Sequence, residues 1–499
     1  MLAIKEEEMY KFTYPAEKWD ELNIDKNIIL RLINKHTAMM GDKIKCKEYY
    51  DGKHEILART REKNTPNNKV VCNHAKDISD TATGYFMGNP ITYSNTGDAD
   101  IEPLLKAFDD AAIDDVDFEN AMDASIVGRA YEYVYAKEGE STPTSKNISA
   151  ICTFIVYDDT IEENELCGVY YYPKKNDADN VVSWVAVVVT ENYKYTMIIE
   201  NNTNIDQVVT ETPEAHYFGA VPIIEYLNNK EGQGDFEQQI PLIDAYNKLM
   251  SDRVNDKEQF IDAILVIYGA LLGDDEEETK KAAKELREEK LLELPEDAKA
   301  EYLSRQMEEA GVEILRKALK EDIYTFSHVP NLSDENFVGN ASGVAMEYKL
   351  LGLEMLTKIK ERNYKKGIRK RIKLYCNFLG MKAIAIDAGS IVATFSRSLP
   401  KNLQELASIL YNLKDMVSQR TLLKLLPFVE DPDSEIEDVK EQAEENLKRQ
   451  QELFAGNANT PPDDEVDLDG KDEDGEDGEN PENRINTKAE GQSEDKKKE

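Results

Sequence analysis

The stretch SGVAMEYKLLGLEMLTKIKERNYKKGIRKRIKLYCNF, residues 342–378, is the longest run of helical spacing in the sequence. Its apolar residues recur every three or four positions, as at Met346, Leu350 and Leu353. A dense basic run from Lys358 to Lys373 follows them. We therefore predict one long helix that is apolar at its start and strongly basic towards its end.

Helical spacing also occurs on both sides of this stretch. The further predicted helices are, in chain order, Asn27–Tyr50, Val70–Phe86, Asp114–Val127, Phe236–Leu265, Asp274–Lys290, Val312–Phe326, Leu403–Leu426 and Ser434–Phe454. Pro241 falls in the first turn of one of them, where its missing N–H is not needed. Pro427 and Pro432 bound the last two and are typical of helix ends.

Between residues 130 and 225 the pattern changes to short segments rich in Val, Ile and Tyr, separated by Asn, Asp, Lys and Gly. Such segments are typical of antiparallel strands joined by hairpins. The predicted strands are Ile91–Tyr93, Tyr131–Tyr135, Ile151–Tyr157, Gly168–Tyr172, Val181–Thr190 and Tyr193–Ile199, and Leu291–Leu294 and Tyr302–Leu303 are strand-like. The fold class predicted for the N-terminal half is α+β.

The charge balance bears on nucleic-acid binding. The chain has 499 residues, enough for about three domains, and a formal net charge of −38. Proteins that hold duplex DNA statically use clustered Lys and Arg and gain from counterion release. An acidic wall suits DNA that has to slide, because repulsion keeps the strand from adhering. Composition alone does not decide whether that special case applies.

Cysteine usage and hydropathy point to a cytoplasmic protein. The five cysteines are scattered without a Cys-x-x-Cys pair, which is typical of reduced thiols. The N-terminus is acidic and lacks the apolar core of a signal peptide. The longest apolar run, Ala263–Leu272, is far shorter than the roughly 20 residues that span a bilayer. We predict no membrane partner.

Enzyme and cofactor motifs are missing from the sequence. It contains neither a Gly-rich loop ending in Gly-Lys-Ser/Thr nor a Gly-x-Ser-x-Gly turn. The five histidines are too widely separated for metal-ligand spacing, so we interpret them as ordinary core or surface residues. Residues 465–476 approximate a calcium loop, but so acidic a segment produces that match by chance. We predict no catalytic site, no metal and no cofactor.

The basic run of the long helix has two interpretations. Its cations, with Lys365, Lys366, Arg369 and Lys370 as the candidates, can face DNA or an acidic neighbour. Alternatively, they form the solvated face of an amphipathic helix, with an opposite apolar stripe at Ile359, Ile368, Ile372 and Tyr375. The spacing favours the second interpretation and leaves the first open.

Three further clusters carry a resemblance. They are EYYDGKH at residues 48–54 followed by PNNKVVCN at 66–73, then GYFMGNPITY at 84–93, and finally NFVGNASGVAMEYKL at 336–350. In this order and spacing they resemble the portal protein family of long-tailed phages that infect Gram-positive hosts. The resemblance covers about residues 25–455 and leaves out the acidic tail.

The resemblance implies an α+β portal fold whose copies form a ring, usually of twelve, at one capsid vertex. It implies a wing formed by residues 1–235 together with the long helix and return strands of 342–400. It implies a helical stem (236–265 and 312–326), a small α/β clip (266–311), a channel loop (327–341) and an α-helical crown (401–455). The tail, residues 456–499, is so acidic and polar that we expect it to be disordered.

Functional surfaces follow from the same resemblance. Asp334, Glu335, Asn336 and Phe337 would lie on the channel loop facing DNA. Asp274, Asp275, Lys281 and Lys284 would form the docking surface of the clip. The implied partners are further copies of the chain, double-stranded DNA, the terminase large subunit, scaffold and major capsid protein, and a head-tail connector. The protein would be made in the host cytoplasm and reside in the virion.

Two other functions stay open at this point. One is a cytosolic scaffold with helical interaction surfaces and no channel. The other is a DNA-processing enzyme, which would need a carboxylate-metal nuclease site. Ring assembly separates the portal from the scaffold, and metal-dependent DNA cleavage separates it from the enzyme.

Overall fold

The computed structural model describes residues 11–456, apart from residues 63–64, 98, 138, 141, 201–207, 262–263, 269–274, 290–298, 304–308, 333–342, 398–402, 415, 424, 427–428 and 430–431. The chain divides into two compact units, residues 1–401 and residues 402–499. The predicted disordered tail lies outside the described residues, except for Gly456 at its start.

The first unit mixes helices and strands. Its helices are α1 (Lys26–Met39), α2 (Gly41–Tyr50), α3 (His74–Met87), α4 (Glu102–Asp110), α5 (Ile113–Val127), α6 (Ile240–Ile261), α7 (Glu276–Glu289), α8 (Glu309–Ser327) and α9 (Gly343–Gly380). Its strands are β1 (Phe12–Thr13), β2 (Thr92–Asn95), β3 (Arg129–Ala136), β4 (Pro143–Ile148), β5 (Thr153–Tyr157), β6 (Glu165–Lys175), β7 (Val181–Val189), β8 (Tyr193–Glu200), β9 (Val209–Thr210), β10 (Glu214–Ala215), β11 (Ile223–Leu227), β12 (Ile264–Tyr268), β13 (Lys299–Leu303) and β14 (Ile391–Thr394). The second unit contains α10 (Leu403–Leu413), α11 (Gln419–Leu423) and α12 (Pro432–Gly456).

The larger sheet has the order β1-β5-β6-β7-β8-β10, with β9 also paired to β8. Apart from the parallel β1–β5 pair, its neighbours are antiparallel. Helix α1 covers it through Ile29, Leu32 and Ile33, which share a core with Val169 and Val188 of the sheet. This agrees with the predicted hairpin series and with an α+β fold.

A smaller, three-stranded sheet forms a second core of the unit together with two helices. Its order is β11-β3-β4, and α5 and α9 pack against it. The shared core includes Tyr226 of β11, Ala124 of α5, and Ile368 and Tyr375 of α9. The second half of the long helix is thus a core element.

The structure confirms the long helix and the main strands but corrects several boundaries. The helix predicted over Asn27–Tyr50 is two helices, because the chain turns at Met40, whose N–H bonds to Thr37 O, and Gly41 starts α2. The helix predicted to extend to Leu265 ends at Ile261, and Ile264 begins a strand. The predicted Leu403–Leu426 helix is two helices, α10 and α11. Leu291–Leu294 lies outside the described residues.

The elements of the first unit without a predicted counterpart include α4, β4, β11 and the two-residue strands β1, β9 and β10. Strand β4 has the sequence PTSKNI, whose polar residues do not follow the alternation of a half-buried strand. It is a strand because its six residues pair with β3. Pairing partners of this kind are not visible in a single segment of sequence.

A buried histidine makes the stability of the sheet core depend on pH. His36 is 3% exposed, and its Nδ1 lies 2.8 Å from Tyr171 Oη. Burial, and then the charge of Arg129, lowers the pKa of His36 from 6.5 to about 4. The unfolded chain therefore takes up this proton first, so stability is full above pH 6.5 and is lost as the pH falls towards 4.

We expect the variant His36→Gln to lose about 2 kcal/mol less of its free energy of unfolding than the wild type between pH 7.5 and pH 5.0. Urea titrations followed by far-UV circular dichroism measure this difference. The variant His328→Asn, at an exposed histidine, controls for the loss of an imidazole. Equal pH dependence in wild type and His36→Gln would contradict the assignment.

Candidate functional site

Helices α6 and α8 of the first unit pack against each other as an antiparallel hairpin. Its base is anchored in the core by Ile243 of α6 and Ile323 of α8, both 0% exposed. Tyr246 of α6 and Tyr324 of α8 also contact His74 of α3 through edge-on ring packing. The segment 65–73 also runs along the second, far half of α6. Ser251 and Asn255 are buried there and accept hydrogen bonds from the N–H groups of Val70 and Asn68, so α6 is held well beyond its base.

Ion pairs connect the two helices along that far half. Arg253 of α6 donates to Glu309 at 2.8 Å and to Glu313 at 2.9 Å, and Arg316 holds Glu313 at 2.6 Å. The hydrogen bonds from Arg316 and then Arg253 lower the pKa of Glu313 to about 2. Lys257 adds a contact to Glu309 at 3.0 Å. Exposed pairs add little stability individually, and this network fixes how the helices align.

The hairpin carries a small sheet at its far end. Strand β12 follows α6 directly in the chain, and β13 precedes α8, and the two pair antiparallel with Ile264 opposite Leu303. Helix α7 lies between them in the chain and begins with Glu276, Glu277 and Glu278. The far end of the hairpin thus combines a strand pair with one charged helix.

The predicted docking residues fall mostly on α7. Asp275 directly precedes it, and Lys281 and Lys284 lie within it, all three exposed. Asp274 lies outside the described residues. Asp275 has a structural role as well, because its side chain accepts a hydrogen bond of 2.8 Å from the Glu278 N–H in the first turn of α7.

The predicted channel loop connects α8 to α9. Asp334, Glu335, Asn336 and Phe337 lie outside the described residues. The chain enters the loop through exposed Leu332, 55% accessible, and leaves it at Gly343. The structure thus places both ends of the loop at the base of the hairpin and at the start of the long helix.

The four candidate cations of the long helix separate into two pairs. Lys366 and Arg369 are exposed. Lys365 donates to Glu361 at 2.6 Å, and its ammonium group lies over the ring of Phe395. Lys370 donates to Glu165 and to the carbonyl oxygen of Ile223 at 2.6 Å. Two of the four therefore contact the protein's own body.

The predicted apolar stripe is right at three of its four positions. Ile368, Ile372 and Tyr375 are buried, whereas Ile359 is 51% exposed. The prediction was wrong at Ile359 because, at 3.6 residues per turn, that residue points about 180° away from Ile368. Its side chain lies on the outer side of α9.

A buried charge cluster was missed from the sequence. Arg371, 0% exposed, binds Asp117 of α5 through two hydrogen bonds of 2.6 and 3.0 Å and Glu132 of β3 through bonds of 2.6 to 3.0 Å. Tyr226 donates to Glu132 at 2.6 Å, and Tyr364 donates to Asp117. Burial raises the pKa of Asp117, although Arg371 opposes the shift.

A second buried pair lies three turns earlier on the same helix. Lys360, 3% exposed, donates to Asp235, which also accepts from Ser125 and, at 2.8 Å, from Asn228. Lys360 and Arg371 fix the long helix at two points, the first to the loop between β11 and α6 and the second to α5 and β3. In the sequence, the burial of Arg371 is indicated only by its position on the same helix face as Tyr364, Ile368 and Tyr375.

Within the described residues, no group of three or more His, Cys, Asp and Glu side chains could hold a metal ion. Of the helices that the structure describes, none is long and apolar enough to cross a membrane.

Sequence comparison shows which known proteins this chain is similar to. A family model described as "Phage portal protein, SPP1 Gp6-like" matches residues 29–449. The portal protein of Clostridium phage phiCD119 is 23% identical over 431 residues, which cover 81% of this chain and 93% of that protein. The portal protein of Bacillus phage SPP1 is 24% identical over 431 residues, which cover 82% of each chain.

Proposed function

The chain belongs to the SPP1 Gp6-like family of phage portal proteins, and from this membership we propose that its copies form a closed ring at one capsid vertex. Double-stranded DNA would pass through the ring during packaging and ejection. The observation that carries the proposal is the family match over residues 29–449. We propose twelve subunits, the usual number for portal rings.

Each part of the subunit has a proposed role. Residues 1–235 and 342–400 are the wing, α6 and α8 are the stem around the channel, and residues 327–341 are the channel loop with Asp334 to Phe337 towards DNA. The sheet β12–β13 and α7 are the clip, and residues 401–455 are the crown. Support comes from the hairpin, whose buried base and ion-paired helices give a stiff support for a small docking module.

The charge of the chain supports a sliding channel. A formal charge of −38 per subunit, multiplied around a ring, repels the phosphate backbone. A wall of this sign lets DNA move without a static grip on it. Energy for movement would come from a separate motor, consistent with the missing phosphate-binding loop in the sequence.

The proposed partners use different surfaces. The clip would dock the terminase large subunit during packaging and the head-tail connector afterwards, with Asp275, Lys281 and Lys284 on its exposed face. Scaffold and major capsid protein would contact the outer parts of the ring. The protein would be made in the host cytoplasm and end in the virion, without a catalytic role of its own.

Light scattering and negative-stain microscopy of the purified full-length chain test the ring. We expect particles with a central hole and a mass about twelve times the 56.7 kDa of one chain. A compact dimer or a monomer, in either case without a ring, would contradict the proposal.

A further inference from the structure

One face of the long helix α9 is exposed along most of its length. Tyr348, Leu351 and Met355 are 75%, 46% and 59% exposed in its first half. The same face continues through Lys358 and Arg362. Successive members stand three or four residues apart, so they form a single stripe on the helix.

The second half of this face is basic. Its further members are Lys366, Arg369 and Lys373, all exposed. Among the residues that the structure describes, Arg362, Lys366, Arg369 and Lys373 form no ion pair with a carboxylate. In a chain with 99 acidic and 61 basic residues, so many unpaired cations on one helix face call for an acidic counterpart.

An acidic counterpart exists elsewhere on the chain. Asp109 and Asp110 end α4, and Asp114, Asp115 and Glu119 follow on α5, and all five are exposed. None of them forms an ion pair within the described part of the chain. Loss of solvent, and then the charges of Asp115 and Asp109, raises the pKa of Asp114. Phe118, 40% exposed, lies within this acidic patch.

Where the structure describes both surfaces, the stripe and the acidic patch of one chain form no ion pair with each other. Helices α9 and α5 turn towards each other through the buried contact between Arg371 and Asp117. At 3.6 residues per turn, Arg369 and Lys373 point roughly 160° away from Arg371. Phe118 and Glu119 likewise lie about 100° and 160° away from Asp117. Arg369 and Lys373 of the stripe and Glu119 of the patch therefore point away from the contact between the two helices and are available to another molecule.

We infer that the exposed face of α9, Tyr348 to Lys373, docks on the acidic patch of α4 and α5 in a second copy of the chain. A closed ring needs two different, complementary surfaces on each subunit, and these two surfaces satisfy that need. The inference rests on the ring proposed above and names the contact that builds it.

A protein partner fits this face better than DNA does. The apolar half formed by Tyr348, Leu351 and Met355 gains nothing from a phosphate backbone, whereas buried aromatic and Met side chains are typical of protein interfaces. The stripe also extends about 38 Å along the helix, a suitable length for contact between neighbouring subunits. Charge pairing would set the register and exclude contacts between like surfaces.

Charge reversal on one surface at a time tests the contact. One variant carries Lys366→Glu, Arg369→Glu and Lys373→Glu, and the other carries Asp109→Lys, Asp110→Lys and Glu119→Lys. Lysines at the C-terminal end of α4 agree with the helix dipole, so the second variant keeps a favourable local charge. At a concentration where the wild type is entirely in rings, we expect each variant to remain a 56.7 kDa monomer.

An equimolar mixture of the two variants supplies the decisive measurement. Each reversed stripe then meets a reversed patch of the other variant, so we expect the mixture to form rings of alternating subunits. A matched control reverses three exposed cations elsewhere, Arg31, Lys146 and Lys174, and should form rings by itself. Thermal unfolding of each monomer verifies that it is folded.

The outcomes separate this contact from the ring itself. Wild-type protein that forms no ring overturns the proposed function. If the wild type forms rings and either reversed variant also forms rings by itself, the proposed contact is wrong. The proposed ring assembly is not affected by that result. Reversed-stripe rings that retain less duplex DNA than wild-type rings would assign the face to DNA. Folded variants that stay monomeric even when mixed also overturn the contact.

Discussion

Replacing Arg371 with leucine is expected to lower the free energy of unfolding by about 3–5 kcal/mol, the usual cost of removing one partner from a buried ion pair. The guanidinium is 0% exposed and holds both Asp117 and Glu132. Without it, two carboxylates remain in the core with only Tyr226 and Tyr364 as hydrogen-bond donors among these contacts. Urea unfolding followed by far-UV circular dichroism measures the loss.

Two further variants make this result specific. Arg371→Lys keeps the charge but lacks the planar fork of donors, so its loss should be intermediate. Arg31→Leu, on the exposed side of α1, should change the free energy of unfolding by less than about 0.5 kcal/mol. If Arg371→Leu behaved like Arg31→Leu, the buried cluster would not be a stabilising contact.

Adding a single methyl group at Gly367 is expected to cost about 3 kcal/mol, because the core there has no space for it. A Cβ on this residue would fall inside the van der Waals radius of the Tyr226 ring. Tyr226 is 0% exposed, and its hydroxyl is fixed to Glu132 at 2.6 Å, so the ring cannot withdraw. The loss should occur even though alanine favours a helix more than glycine does.

Gly352 in the same helix provides the matched control. A Cβ there would come no closer than 3.5 Å to the His328 carbonyl oxygen, an ordinary contact. Gly352→Ala should therefore raise the free energy of unfolding by up to about 1 kcal/mol. Thermal unfolding of both variants compares them directly, and a stabilising Gly367→Ala would contradict the close packing of α9 on β11.

Periodicity in the sequence was sufficient for the long elements. Residues 342–378 predicted α9 within two residues at either end, and the Val, Ile and Tyr segments predicted the core of the larger sheet. Periodicity could not reveal the turn at Met40 and Gly41, because apolar residues recur on both sides of it. It also missed β4, whose strand conformation comes from pairing with β3.

The functional surfaces were harder to predict because charge alone does not tell where a side chain lies. Within one basic run, Lys360 and Arg371 are buried, Lys370 contacts Glu165, and Lys366 and Arg369 are exposed. Only the contacts of the folded helix separate these groups. The docking residues on α7 stay predictions, as do those of the channel loop.

The α6–α8 hairpin has a mechanical consequence. Helix α6 is 22 residues long, or about 33 Å, and it is held along most of that length. Ile240 and Ile243 lie in the core, and the segment 65–73 hydrogen-bonds to α6 from Asn247 to Glu258. A beam clamped over most of its length transmits a displacement with little amplification, so we expect β12 and β13 to move together with the first unit instead of swinging on it.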